Sequence, residues 1–269
     1  MIIHNFDPVA LDFGLFEIRW YSLSYIVGII LAWIYSKYLI TKISKNNHNF
    51  ISIKSSQFDD LIIYLVLGIV IGGRIGYVLF YNFDYYTNNF PEIFKLWYGG
   101  MSFHGGLIGV VITTLIFSKI SKINFFKFSD IIACAAPIGI FLGRIANFIN
   151  GELYGKISNL PWAIIFPMGG NLPRHPSQIY EAFFEGLILF IIINFLAIQK
   201  KLLFKSGFIS GFFLILYSIF RIICENFREP DLHLGYYLNY FSMGTLLSIA
   251  TFTIGCLIII FINKNEQNY

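Results

Sequence analysis

Residues 61–80 read LIIYLVLGIVIGGRIGYVLF, twenty residues with Arg74 as their one charge. A helix of that length is about 30 Å long, the thickness of a bilayer's hydrocarbon core. The same texture recurs along the chain. Apolar stretches lie at roughly 20–41, 58–80, 102–118, 129–149, 178–198, 207–225 and 241–262. Over the 269 residues 57% are hydrophobic and 13% charged, against roughly 25% charged in an ordinary soluble domain. A soluble fold of this size has no interior large enough to hide so much apolar surface. The expectation is an all-α integral membrane protein of about seven transmembrane helices, forming a single domain over 1–269. Asp130, Pro137 and Arg144 interrupt the fourth stretch, and a loop region rich in Gly, Pro and Asn follows it at about 150–177.

Lysine and arginine orient these spans. Eleven lysines fall in the loops after the first, third and fifth spans and in the tail. Only five basic residues, Arg19, Lys95, Lys156, Arg174 and Arg228, lie on the other side. The positive-inside rule puts the first set in the cytoplasm, the N-terminus and the 150–177 loop outside, and the C-terminus inside. The first run is expected to be a retained helix, because Asp7, Asp12 and Glu17 precede it in place of a basic leader segment. A net charge of +4 gives no support to a nucleic-acid partner. Cys134, Cys224 and Cys256 form no CxxC and read as small buried residues.

The remaining charges are the informative ones. A charged side chain at mid-bilayer costs roughly 2.5–3.5 kcal/mol even on a lenient scale. Yet Arg74, Arg144, Arg221, Asp130, Glu181, Glu185 and Glu225 all fall inside predicted spans. Most of them sit toward the outer ends, which points to a shared polar cavity. Arg74 is also open to a structural pairing with a carboxylate such as Asp60. Tyr217, Arg221, Glu225 and Arg228 follow one another at intervals of 4, 4 and 3, so they share a helix face. On it Glu225 is placed to hold the Arg221 guanidinium. Arg144 and Asn147 are i,i+3 neighbours. Two arginines aimed at one cavity make a fork-shaped receptor for phosphate oxygens, so the expected ligand is an anionic headgroup.

Two further segments carry chemistry. In YGGMSFHGGLIG, residues 98–109, His104 stands between the pairs Gly99–Gly100 and Gly105–Gly106. Glycines admit close backbone approach and leave N–H groups open at a helix start. His104 is either a base or donor near neutral pH or a hydrogen-bonded histidine of a tight turn; the residues alone leave both open. In GRIANFINGELYG, residues 143–155, Asn147, Asn150 and Glu152 read as hydrogen-bonding groups lining a pocket. His4, His48, His175 and His233 are scattered and read as structural or surface residues. No GxSxG, HExxH, P-loop or EF-hand pattern occurs, and no metal-ligand spacing, so neither a cofactor nor a metal is expected.

GRIANFINGELYG resembles the signature of the prolipoprotein diacylglyceryl transferases. RWYSLSY (19–25), GGRIGYVLFYN (72–82), SFHGG (102–106), RHPSQIYE (174–181) and RIICENFREPD (221–231) resemble blocks of the same family in the same order, from about residue 7 to 262. The resemblance implies transfer of the sn-1,2-diacylglyceryl group of phosphatidylglycerol to the lipobox cysteine of a bacterial prolipoprotein. That reaction forms a thioether and releases glycerol phosphate. It implies a multi-pass protein of the bacterial cell (inner) membrane with its active site towards the outer face. The partners would be phosphatidylglycerol, prolipoprotein signal peptides and the lipid bilayer. By the same matching Tyr21, His104, Arg144, Arg221 and Glu225 fall on catalytic positions. Arg144, Asn147, Glu152, Gly155, Tyr217, Arg221 and Arg228 fall on positions that bind the lipid headgroup. Two rival readings remain, a membrane acyltransferase and a lipid or anion transporter. The transporter lacks an internal repeat of the kind many carriers show.

Overall fold

A computed structural model describes residues 2–14, 17–46, 53–230, 236–237 and 241–266. His48, Asp231 and His233 lie outside the described residues. The chain is mostly helical, and seven helices are long and apolar enough to cross a membrane. They are α1 (Trp20–Asn46), α2 (Ser55–Tyr81), α3 (Phe103–Ser121), α4 (Phe125–Ile149), α5 (Ser177–Gln199), α6 (Phe208–Glu225) and α7 (Met243–Glu266). Each covers one predicted stretch. Several helices, α1 and α2 among them, overrun the apolar runs by a few residues because a helix continues past the hydrocarbon into polar residues. Pro137 does not break α4, as spans tolerate proline where neighbouring groups satisfy the freed carbonyl. The helices form two compact units, residues 37–129 and residues 1–36 with 130–269.

In the 37–129 unit, α2 and α3 pack through glycine. Gly68, Gly72 and Gly76 recur at four-residue intervals along α2, and Gly105 and Gly109 do the same along α3. A Cβ on Gly68 would stand 2.7 Å from the Gly109 carbonyl oxygen, and one on Gly76 would stand 2.8 Å from Gly105 Cα. Small residues at this spacing let membrane helices approach backbone to backbone. Ser102 starts α3 by accepting a hydrogen bond from the Gly105 N–H at 3.2 Å. Gly105 and Gly106, expected to open the backbone to a ligand, face α2 instead.

For Arg74 the sequence leaves open a place in the polar cavity or a structural pairing with a carboxylate such as Asp60. Arg74 donates to backbone carbonyls: Ile93 and Glu92 at 2.7 Å, Gly99 at 2.5 Å, Gly100 at 3.2 Å and Lys95 at 3.3 Å. Its guanidinium lies 5.1 Å over the Tyr86 ring. The carbonyls come from the short 3₁₀ turn Phe90–Phe94, from Lys95 just after it, and from Gly99 and Gly100, whose φ angles of 79° and 81° glycine reaches without strain. A fork of five donors suits such a ring of carbonyls, so the charge is answered without an anion.

In the other unit α4, α5, α6 and α7 carry the core, with Cys134, Leu189, Ile193, Ile209 and Cys224 buried. Cys256 is half-buried, and all three cysteines are free. Asp130, also buried, receives the N–H groups of Gly207 (2.6 Å) and Ser210 (2.8 Å) and the Ser210 hydroxyl (2.6 Å). It caps the start of α6, which explains one intramembrane carboxylate by the donors a helix start leaves unpaired. Helices α6 and α7 meet where Gly211 faces Gly255 and where the Ser218 and Thr251 hydroxyls bond at 2.6 Å. Asn194 of α5 accepts from Tyr35 of α1 (2.6 Å) and donates to the Cys134 carbonyl of α4 (3.1 Å).

Beyond the helix ends, β1 (Ile2–Ile3) runs parallel to β2 (Ile164–Ile165), which pairs antiparallel with β3 (Pro173–Arg174). The N-terminal strand and the 150–177 region therefore share one side. His4 lies under this sheet with its Nε2 2.6 Å from the Phe148 carbonyl and its ring stacked on Phe166 at 5.2 Å. That confirms its structural reading.

Candidate functional site

Three arginines and three glutamates of α4, α5 and α6 meet in the 1–36/130–269 unit. Arg144 comes from α4, Glu181 and Glu185 from α5, Arg221 and Glu225 from α6, and Arg228 follows α6 directly. Glu181 is the hub, at 3.0 Å from Arg144, 3.1 Å from Arg221 and 3.2 Å from Arg228. Glu185 lies 3.0 Å from Arg144 and 3.4 Å from Arg221. Glu225 pairs with Arg221 one helical turn away, as its spacing predicts, and takes a 2.8 Å hydrogen bond from the Ser242 hydroxyl. Gly244, at the start of α7, leaves room for this carboxylate; a Cβ there would overlap it. The Glu181 and Glu185 side chains are wholly buried, whereas those of Arg144 and Arg221 keep 18% and 12% of their surface open. The cations thus have the accessible edge of the cluster and the anions lie behind them.

The winding of α5 contributes to this. Its first turn, Ser177–Glu181, is α-helical, and the next, Ala182–Ile188, is wound as a π-helix. Such wider turns recur at functional sites. Gly186 lets the widened segment lie against α4, because a Cβ there would stand 2.6 Å from Phe141 Cβ. Glu181 and Glu185 are four residues apart and both reach the same pair of guanidiniums.

Around Glu152 lies a second set of polar groups. Its carboxylate accepts from Asn147 at 2.8 Å and from Asn150 at 3.2 Å. Its backbone carbonyl accepts from the buried Gln178 amide at 2.6 Å. Tyr21 of α1 bonds Tyr25 through its hydroxyl at 3.2 Å and lies within electrostatic range of Glu152 and Arg144. Tyr217 stacks on Phe213 at 6.0 Å and is within range of Glu185, Arg144 and Arg221. Gly155 has a packing reason for being glycine. It bridges to Arg228, its N–H donates to the His175 carbonyl at 2.9 Å, and a Cβ would stand 2.5 Å from the Phe227 carbonyl oxygen. It thereby holds the 150–177 region against the end of α6, where Arg228 begins.

Nine of the ten residues singled out from the sequence therefore fall in one unit: Tyr21, Arg144, Asn147, Glu152, Gly155, Tyr217, Arg221, Glu225 and Arg228. His104 belongs to the other, on the first turn of α3, exposed, with its ring 5.5 Å from Phe103. His175, outside the spans, has its Nδ1 3.2 Å from the Tyr180 hydroxyl. Partial burial and then the nearby Lys156 hold its pKa below the usual imidazole value. Sequence reasoning counted Glu181 and Glu185 among the charges that point to a shared polar cavity but assigned them no role in it. The signal was their i,i+4 spacing in an otherwise apolar run. Gln178 gave no such signal. Among the described residues no three His, Cys, Asp or Glu side chains converge as a metal site.

Residues 8–261 match the family model described as prolipoprotein diacylglyceryl transferase. Among curated proteins, the phosphatidylglycerol–prolipoprotein diacylglyceryl transferase of Rickettsia felis is 48% identical over 259 residues, covering 96% of this chain and 98% of that relative. Those of Rickettsia canadensis and Rickettsia typhi, which carry the same name, are each 49% identical. The first match covers 95% of this chain and 96% of the relative, the second 98% and 100%.

Proposed function

The chain belongs to the prolipoprotein diacylglyceryl transferase family, and from that premise we propose that it transfers the sn-1,2-diacylglyceryl group of phosphatidylglycerol to a prolipoprotein's lipobox cysteine. The thiol sulfur forms a bond to the sn-3 glyceryl carbon as that carbon's bond to the phosphate oxygen breaks. Glycerol phosphate departs with the electron pair, and the thiol gives up its proton. The supporting observation is the paired guanidiniums of Arg144 and Arg221, fixed by wholly buried carboxylates on side chains that themselves stay partly accessible. Preorganised donors of this kind stabilise charge that gathers on a departing phosphate. Asn147 and Glu152 supply polar groups for the headgroup beside them. Arg228 belongs to the same cluster, Tyr21 and Tyr217 lie beside it, and His104 is the candidate base. Family membership supports a place in the bacterial inner membrane, and the lysine distribution supports an orientation with this site towards the outer face.

The test is turnover of purified protein with labelled phosphatidylglycerol and a lipobox peptide. The expected product is a thioether that neutral hydroxylamine leaves intact, with glycerol phosphate in equal amount. A hydroxylamine-labile thioester accompanied by lysolipid would overturn the reading in favour of acyl transfer.

A further inference from the structure

We propose that Glu181 and Glu185 are positioning residues of the anion site, and that Glu185 also sets the site's affinity by offsetting the charge of Arg144 and Arg221. The inference rests on the diacylglyceryl-transfer reading only for the identity of the anion. Arg144, Arg221 and Arg228 bring three positive charges together inside a membrane protein, where like charges at short range repel strongly. Glu181 touches all three at 3.0–3.2 Å, and Glu185 touches Arg144 and Arg221. Arg144 gives Nη1 to Glu181 and Nη2 to Glu185, so both carboxylates fix its plane. With Glu225 included, three carboxylates face three guanidiniums among the described residues, so the formal charges of these six side chains balance.

Neutrality has a functional side. A site with a surplus of positive charge would bind a phosphodiester tightly and a released phosphate monoester, which carries more charge, more tightly still. Holding Glu185 behind the guanidiniums of Arg144 and Arg221 leaves donors for phosphate oxygens while weakening the net field. The anionic headgroup then binds reversibly and the leaving group escapes. Glu185 touches no ligand in this account; it acts through Arg144 and Arg221.

The amide Glu185→Gln keeps the size and one of the two acceptor oxygens that meet Arg144 and Arg221, and it removes the charge. In purified, folded protein its affinity for inorganic phosphate and for glycerol phosphate, measured by titration calorimetry, should rise on the order of tenfold or more. KM for phosphatidylglycerol should fall, kcat should fall, and glycerol phosphate should inhibit at lower concentration. An unchanged or weaker anion affinity with a reduced kcat would show a merely structural carboxylate and overturn the proposal. Glu185→Asp keeps the charge and shortens the reach. It should hold anion affinity within about threefold while kcat drops, because the guanidinium planes are no longer fixed. If Glu185→Gln does not fold, this variant alone decides. A normal kcat, or a gain in anion affinity, would reject the positioning role. The anion titrations need no turnover. Tighter anion binding in Glu185→Gln beside a wild type that makes no thioether would therefore uphold this inference and reject the transferase reading.

Discussion

Arg144 spreads its two terminal nitrogens over Glu181 and Glu185, and Arg221 meets the same two carboxylates as well as Glu225. A lysine has one nitrogen and cannot bridge two acceptors while presenting a flat edge to a ligand. Arg144→Lys and Arg221→Lys should each lower turnover by about a hundredfold or more, with protein levels and thermal stability checked in parallel. Near-normal rates in both would remove the phosphate-clamp role. His104 is tested by pH. If it takes the substrate thiol's proton, His104→Gln should lose activity near pH 7 and recover part of it toward pH 9, as a thiol of ordinary pKa about 8.5 ionises unaided. A deficit that is constant with pH would assign His104 to positioning. The arginines, asparagines and Glu152 were legible in the sequence because polar side chains are conspicuous in an apolar run. The part played by Glu181 and Glu185 was not, since spacing shows which residues share a face but not which helix that face meets.

Among the elements, the α2–α3 pair depends most plainly on sequence. Gly72→Val would drive a side chain into the Gly105 carbonyl and to within about 3 Å of Gly109 Cα, and neither neighbour is the movable end of a side chain. The expected result is a loss of about 1–3 kcal/mol or more, read as a lower melting temperature and lower yield. Gly139→Ala, whose added methyl meets nothing within 4 Å, should be neutral. Equal effects of the two would show that close packing is not what Gly72 supplies. The seven spans could be read from hydropathy because length and composition alone decide whether a segment crosses a bilayer. The two-residue strands had no such signal. Ile2–Ile3 pairs with Ile164–Ile165 across more than 150 residues of chain, and nothing local in either dipeptide announces it. The glycine pairs around His104 were read as openings for a ligand because sequence marks close approach without naming what approaches.

For the whole molecule, the lysine distribution predicts that the two ends of α5 lie on opposite sides of the membrane. In a background lacking Cys134, Cys224 and Cys256, single cysteines at Asn159 and Lys200, both exposed positions, should label from outside and inside respectively. Labelling of both by an impermeant reagent on intact cells would refute the orientation. The cysteine-free background should itself keep turnover within a few-fold, allowing for the stability cost of altering buried residues, because no enzyme thiol takes part. The order in which the charged cluster appears along the chain also bears on how the protein is made. As synthesis proceeds, α4 delivers Arg144 first. The next helix brings the two carboxylates that embrace it, and α6 with the residues just after it completes the set. Each newly inserted helix therefore meets its counterion on the one threaded immediately before it. A nascent chain built in this order leaves Arg144 without its counterions for no longer than the translation of one loop and one span. The same six residues arranged on distant helices would leave the insertion machinery sheltering bare ions until the last span emerged.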